Sequence, residues 1–392
     1  MSIDKNKING KLKKRSLPVE IDLDNLTNLS NKMTDSSFYY KMLDIIDYGD
    51  TEDYSGFNDL EMLYLFVHQE KDTDSKKNRT AATKKEYIRE LLFFYRMFVE
   101  NGDLFDFEVA DLNIRSLIKE IRPRNIRKFQ QWLKEAPLGK GGKTYSVATL
   151  AKKTVVIKAF LSFLYKKRYI EKPLHETFLS TNVHKRDRPD RDLNSVEVMK
   201  LLEYFKDHPI VYCLILVLTT TGARIQEICT SRICDISYSE GDYWLKVIGK
   251  GNEERECLIL EEVLESITLF RERRGLKTIL NTNDESPIFT TAKNKQYHFK
   301  YLSNYLTNII NKADIPLIRN RNTPLTAHFF RHSYAIISDE QGVDLFKIMQ
   351  SLGHKKVDTT LIYLSRTIAR KNNAGHAWKN SSLIKDLKHI KN

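Results

Sequence analysis

Five short segments between residues 220 and 363 carry side chains whose types could bind an anion, move a proton and form a covalent bond. Arginine is permanently charged and can bind two oxygens of a phosphate at once. Histidine and lysine transfer protons, and the phenol of tyrosine can act as a nucleophile that is later displaced. The side chains in question are Arg224, Lys250, His328, Arg331, His354 and Tyr363.

Taken singly, each of these positions also has a structural interpretation. Arg224 and Glu227 are three residues apart, a spacing at which helical side chains commonly pair. Lys250 lies between two glycines, where a lysine often serves only solubility, although flanking glycines also let a backbone approach a ligand. His328 and Arg331 share one face of a predicted helix, and Tyr363 follows a good helix start at Asp358-Thr359-Thr360.

Taken together, the order and spacing of the six positions resemble the catalytic signature of the tyrosine recombinase (phage integrase) family. The matching stretches are TTGARIQE, IGKGNEER, HFFRHSYA and LGHKKVDTTLIY. The resemblance covers about 200 residues at the C-terminal end and extends more loosely to residues 83–182, which resemble the family's helical core-binding domain. Phe330 stands where leucine is usual, and His354 where some members have tryptophan.

The resemblance implies a recombinase that cuts and rejoins DNA through a 3′-phosphotyrosine, with Tyr363 as the nucleophile. Arg224 and Arg331 would hold the non-bridging oxygens of the phosphate, and Lys250 would protonate the departing 5′-oxygen. His354 would accept the proton of Tyr363 or hydrogen-bond the phosphate.

The remaining implied roles are supporting ones. His328 would contact the phosphate or orient a neighbour, Glu227 would fix the rotamer of Arg224, and Asp235 matches a structural aspartate of the family. No cofactor and no metal is needed for this chemistry.

The charge distribution indicates a polyanionic partner. The chain of 392 residues has 64 basic and 51 acidic side chains, net +13. Residues 76–192 alone hold 27 basic and 14 acidic side chains, again net +13, so one module is strongly cationic. Because few carboxylates accompany the lysines of its longest predicted helix, we expect that helix to face phosphates. The predicted DNA-binding lysines are Lys152, Lys153, Lys158, Lys166 and Lys167.

Hydrophobic periodicity and composition predict four segments. These are an acidic, aromatic-containing N-terminal extension (1–78), a helical core-binding domain (79–182), a charged linker (183–192) and a catalytic domain with a C-terminal oligomerisation tail (193–392). Alternation around a Gly-Lys-Gly-Asn turn near residues 243–260 predicts a β-hairpin. The expected fold is mainly α with a small β-sheet in the C-terminal domain, and the resemblance implies a C-shaped clamp around DNA.

The expected partners are double-stranded DNA with inverted-repeat sites, further copies of the chain in a tetramer on DNA, and an accessory directionality protein. No membrane partner is expected, since the longest apolar run has nine residues, 210–218. No apolar stretch follows the basic N-terminus, so we expect no secretory signal and a cytoplasmic, nucleoid-associated protein. The four cysteines are expected to be reduced thiols rather than disulfides or zinc ligands.

These residues are compatible with three functions. The first is recombination, as integration or excision of a mobile element or as resolution of replicon dimers. The second is a sequence-specific DNA-binding regulator that keeps the fold without strand exchange. The third is a type IB topoisomerase that only nicks and relaxes DNA.

The acidic extension fits DNA poorly, because residues 21–75 hold 3 basic and 13 acidic side chains. We therefore expect it to pack against the cationic module or to hold a partner protomer rather than to bind DNA.

Overall fold

The computed structural model describes residues 25–47, 54, 56–108, 116–184, 187, 190–249, 253–379, 381–382 and 384. The chain forms two compact units, Met1–Arg188 and Pro189–Asn392. The boundary between them falls inside the predicted linker. Among the described residues, no helix is both long and apolar enough to cross a membrane.

The first unit is helical throughout its described part. Its helices are α1 (Leu26–Lys32), α2 (Tyr39–Ile46), α3 (Asp59–His68), α4 (Ala81–Asn101), α5 (Leu117–Glu120), α6 (Pro123–Glu135), α7 (Val147–Lys166) and α8 (Leu174–Thr177). The two long helices start at hydroxyl caps: Thr80 accepts the amide hydrogen of Thr83, and Ser146 accepts that of Thr149. Both caps stand at the ends of the helices that the apolar spacing predicts.

Helix α3 lies in the core of this unit rather than in a separate extension. All ten of its residues are buried, and the ring of Phe66 lies 5.4 Å from the rings of Phe160 and Phe163. The predicted segments 1–78 and 79–182 therefore share one core across residue 78. The contact between α3 and the rest of the first unit is mainly apolar, whereas the charge pattern predicts packing through surface carboxylates.

Buried Asp59 ties α3 to the rest of the unit. Its carboxylate accepts hydrogen bonds from the Ile118 amide at 2.9 Å and from the Tyr169 hydroxyl at 2.7 Å. Burial outweighs these bonds and raises the pKa of Asp59 to about 7.

The second unit combines helices with one small sheet. Its elements are α9 (Ser195–Tyr204), α10 (Pro209–Thr221), α11 (Ile225–Thr230), β1 (Ile236–Ser239), β2 (Asp242–Ile248), β3 (Glu254–Ile259), α12 (Glu261–Arg273), α13 (Phe299–Ile310), α14 (Pro316–Arg319), α15 (Ala327–Glu340), α16 (Leu345–Ser351), α17 (Val357–Lys371) and α18 (Gly375–Trp378). The sheet is antiparallel in the order β1-β2-β3. The prediction of a mainly α fold with a small sheet is confirmed.

The sheet presents one apolar face to the helical core. Leu245 of β2 pairs with Ile236 of β1 and with Cys257 of β3, and all three side chains are buried. Val247 and Ile259 extend the same face, as the alternation of side chains along strands requires. The hairpin strands β2 and β3 are thereby anchored to the helical core.

We expect the stability of the first unit to fall as the pH rises, because the folded protein holds the proton of Asp59 more tightly than the unfolded chain. The stabilisation is complete below about pH 4 and is lost as the pH rises to about 7. Asp59→Asn, which carries no charge, should therefore raise the melting temperature at about pH 8 and change it less at about pH 4. Melting followed by circular dichroism across this range measures the difference.

Asp106→Asn is the matched control, because Asp106 is exposed and pairs with Lys128 at the surface. Removing such a pair costs about 1 kcal/mol or less. A wild-type protein whose stability rises from about pH 4 to about pH 7, with Asp59→Asn showing the same rise, would contradict the assignment.

Candidate active site

Gly222 turns the chain so that Arg224 begins helix α11. Gly222 has a φ of +60°, and a Cβ there would lie 2.8 Å from Leu352 Cδ2 and 2.9 Å from Tyr334 Cγ. Only glycine fits both the conformation and the space. The turn leaves Arg224 as the N-cap residue of α11, with its side chain about one-third exposed.

Glu227 holds Arg224 in place through two contacts. Its Oε2 accepts the backbone amide hydrogen of Arg224 at 2.7 Å, and its Oε1 accepts from Arg224 Nη1 at 2.8 Å. The first contact caps the helix and the second orients the guanidinium. The geometry thus gives Glu227 the contact with Arg224 that the sequence predicts.

The same carboxylate also pairs with Arg255 of strand β3. Arg255 Nη2 donates to Glu227 Oε2 at 2.8 Å, and Arg255 Nε donates to the carbonyl of Ser351 at 3.2 Å. Arg255 therefore links the hairpin, α11 and the end of α16. The motif IGKGNEER does not single out Arg255, although its alternation with Cys257 and Ile259 places it on the inward face of β3.

Arg331 of α15 is buried, with 1% of its surface exposed. Its guanidinium donates to the carbonyls of Gly222 and Leu352 and to Nε2 of His354, the last at 3.0 Å. No ion pair of Arg331 with a carboxylate occurs among the described residues. Burial, followed by the nearby charge of Arg224, lowers the pKa of Arg331 to about 10, so it stays charged at neutral pH.

His354 follows the turn at Gly353 and is held on both ring nitrogens. An arginine can only donate, so Nε2 accepts from Arg331 and Nδ1 must carry the hydrogen. That hydrogen is donated to Thr360 Oγ1 at 2.9 Å. Burial, and then the charge of Arg331, lowers the pKa of His354 to about 4.

Tyr363 of α17 lies among three histidine rings and is itself 8% exposed. Ring centroids are 3.8 Å away for His332, 5.2 Å for His354 and 6.0 Å for His328. Burial lowers the pKa of His328 to about 4 and that of His332 to about 3, with Arg191 and His328 respectively as the next causes. All three rings are neutral at physiological pH.

The structure therefore brings together Arg224, Arg331, His328, His354 and Tyr363. Lys250 lies outside the described residues, but Gly249 before it stands beside the site: a Cβ on Gly249 would lie 3.2 Å from Glu227 Oε1. Asp235 accepts the amide hydrogen of Arg232 at 2.8 Å and caps a short 3₁₀ turn before β1. Within the described ranges, no group of three or more His, Cys, Asp or Glu side chains could hold a metal ion.

Comparison with known proteins agrees with this geometry. Residues 191–370 match the phage integrase family. Tyrosine recombinase XerC of Rickettsia prowazekii is 26% identical over an alignment that covers 79% of this chain and 94% of the relative. The chain carries a domain of the tyrosine recombinase family, residues 191–370. It is a tyrosine-type site-specific recombinase.

Further relatives and solved structures place this recombinase in the same fold. Tyrosine recombinase XerD of Staphylococcus epidermidis is 29% identical, with 56% of this chain and 72% of XerD covered. The crystal structure of XerH recombinase in a post-cleavage complex with difH has a TM-score of 0.58, with 18% identity and coverage of 96% and 90%. A lambda integrase dimer bound to a core site has a TM-score of 0.54, with 13% identity and coverage of 78% and 77%.

The five predicted DNA-binding lysines of the recombinase differ in exposure. Lys153 is buried, pairs with Glu90 and lies 4.1 Å from the centre of the Phe93 ring. This placement makes it a packing contact of the first unit, because its ammonium faces α4 rather than solvent.

The other four lysines are more accessible. Lys152 is exposed and pairs with Glu86, and Lys166 is exposed. Lys158 donates to Ser180 at 3.3 Å, and Lys167 lies over the ring of Tyr54. Lys152 and Lys166 are therefore the best placed of the five for phosphate contacts.

Replacing Glu227 should lower the free energy of unfolding more than replacing an ordinary surface carboxylate does. Glu227→Gln removes the charge between Arg224 and Arg255, and breaking a buried pair costs roughly 3 kcal/mol of the free energy of unfolding. We expect DNA cleavage to slow as well, because Arg224 is no longer oriented. Chemical denaturation and single-turnover cleavage measure the two effects.

Glu253→Gln is the control, since Glu253 pairs with Lys355 and both side chains are exposed. It should cost about 1 kcal/mol or less. Equal costs for the two variants would show that Glu227 does not hold the site together.

Proposed function

We propose that the protein recombines DNA at specific sites by cutting each strand with Tyr363 and resealing it from a 3′-phosphotyrosine. The observation that carries this proposal is the placement of the Tyr363 ring against His354 and His328, next to the buried guanidinium of Arg331. A nucleophile, a cation and neutral imidazoles lie within one pocket, which is the set that transesterification of a phosphodiester requires.

In the proposed step, the phenolic oxygen of Tyr363 bonds to phosphorus and the bond from phosphorus to the 5′-oxygen breaks. Lys250 gives the 5′-oxygen its proton. Nε2 of His354 already accepts from Arg331, so the geometry favours His354 as a group that orients Arg331. The phenol proton is assigned to the neutral ring of His328, which stands edge-on to the ring of Tyr363, whereas the ring of His332 is tilted over it at 30°.

Arg224 and Arg331 are assigned to the negative charge that develops on the non-bridging oxygens. Glu227 and the carbonyls of Gly222 and Leu352 hold these guanidinium groups in place before DNA arrives. Donors that need no rearrangement stabilise a transition state more than flexible ones do. An incoming phosphate would also reduce the repulsion between the two cations.

The proposed partner is double-stranded DNA with inverted repeats, on which four copies of the chain assemble. Structural relatives include a lambda integrase tetramer bound to a Holliday junction and a Tn1549 transposon integrase in complex with circular intermediate DNA. Integration or excision of a mobile element and resolution of replicon dimers both use this chemistry. An accessory directionality protein and residence at the nucleoid belong to the same proposal.

Tyr363→Phe tests the nucleophile. The variant loses only the phenolic oxygen, so specific DNA binding should persist while covalent protein–DNA adducts disappear. A nicked suicide substrate, which traps the adduct on a denaturing gel, provides the measurement. Adducts that survive the change would reject Tyr363, and a wild-type protein that binds its site without forming any adduct would indicate a DNA-binding regulator.

Lys152→Gln and Lys166→Gln test the cationic face of α7. Each variant should weaken binding to all sequences and reduce the slope of log affinity against log salt by about one for each phosphate that is no longer neutralised. Fluorescence anisotropy at several salt concentrations measures this slope. Lys41→Gln is the control, because Lys41 is exposed in the acidic segment 21–75, and an unchanged slope in all three variants would place the DNA elsewhere.

A further inference from the structure

His332 is a buried polar side chain to which the proposed reaction gives no role. It lies on α15 directly after Arg331 and one turn after His328, and 5% of its surface is exposed. Neither Nδ1 nor Nε2 has a hydrogen-bond partner among the described residues. Its contacts are aromatic: the ring of Tyr363 at 3.8 Å and that of His328 at 5.0 Å between centroids.

This arrangement is costly for folding. A buried donor or acceptor without a partner costs about 1–3 kcal/mol, and His332 has one of each. A phenylalanine would make similar ring contacts at this position without that cost. The DNA-free protein therefore gains nothing from the two nitrogens, and their use must lie in another state of the site.

The surroundings of His332 indicate which group those nitrogens can bind. The groups that act on its charge are His328, Arg191, Arg331 and His354, all of them cationic or neutral. Burial first, and then these groups, lowers the pKa of His332 to about 3 and keeps the imidazole neutral, and a neutral imidazole carries one N–H donor. A donor in a positively charged, buried site is suited to an anionic oxygen.

The position of Tyr363 identifies the source of that oxygen. The phenol ring lies over the imidazole at an interplanar angle of 30°. When the phenolic oxygen attacks, the phosphoryl group lies one bond beyond it, next to the ring stack. The non-bridging oxygens of that group are the only anions that the proposed reaction brings to this place.

We propose that His332 donates a hydrogen bond to a non-bridging oxygen of the phosphoryl group that Tyr363 attacks, which makes it a further catalytic residue. The inference rests on the proposed function, since it needs Tyr363 as the nucleophile. It assigns to the two buried nitrogens a partner that is present only during the reaction.

The first test compares His332→Phe with His332→Gln on a nicked suicide substrate. His332→Phe keeps the ring and removes the donor, so the single-turnover rate of adduct formation should fall at least about tenfold. The dissociation constant for DNA should stay within about twofold, because the contact forms during attack. The melting temperature should stay equal or rise. His332→Gln supplies an N–H donor again and should recover part of the rate.

Ser333→Ala is the matched control on the same helix. Ser333 is also buried, and its hydroxyl donates only within α15, to the carbonyl of Phe329. It should form adducts at the wild-type rate. If His332→Phe cleaves at the wild-type rate, or if it loses rate only together with DNA affinity and melting temperature, His332 is a packing residue and the inference fails.

The second test replaces the scissile phosphate by a methylphosphonate, which removes one non-bridging oxygen. If His332 contacts that oxygen, the losses from His332→Phe and from the modified substrate should not multiply when they are combined. Fully multiplicative losses with both methylphosphonate isomers would overturn the inference.

Tyr363→Phe distinguishes a failure of the proposed function from a failure of the inference about His332. If that variant still forms adducts, the proposed function fails and the inference fails with it. If adducts require Tyr363 but neither His332 variant slows their formation, only the inference is rejected.

Discussion

The burial of Arg331, which pairs with no carboxylate among the described residues, is the constraint on which the site depends. A guanidinium removed from water needs hydrogen-bond acceptors, and here Nη1 and Nη2 donate to two backbone carbonyls and a histidine nitrogen. Nε has no partner among the described residues. Gly222 is far in the chain from the other two acceptors, Leu352 and His354, which directly follow helix α16. The C-terminal ends of helices α10 and α16 must therefore pack against α15 in the folded unit.

The same constraint sets the electrostatics of the pocket. Burial first, and then nearby positive charge that includes Arg331, lowers the pKa values of His328, His332 and His354, so the three rings are neutral. Among the described residues, the site therefore holds three arginines, Arg224, Arg255 and Arg331, around the single carboxylate of Glu227. In the proposed reaction, the negative charge of a phosphodiester offsets the excess positive charge of this site, which favours the binding of substrate.

Sequence reasoning identified the parts of the site that depend on the order of residues along the chain. The helical character of residues 79–182 is predicted from apolar spacing, and Arg224, Arg331 and Tyr363 are predicted from a set of spaced motifs. It did not identify Arg255 or His332, because their contacts arise only when β3, α15 and α17 pack. Nor could a charge count show that Lys153 faces inward, or that Asp59 of an acidic segment lies in a core.

Glu227 closes the first turn of α11 and orients Arg224 with one carboxylate. The helix that depends on it has only six residues, and helices of that length fray at free energies well below that of global unfolding. Fraying of this turn would release Arg224 while the rest of the unit stays folded. Heat should then inactivate the enzyme reversibly at temperatures below its melting transition. Bound DNA should reduce the difference between the inactivation temperature and the melting temperature.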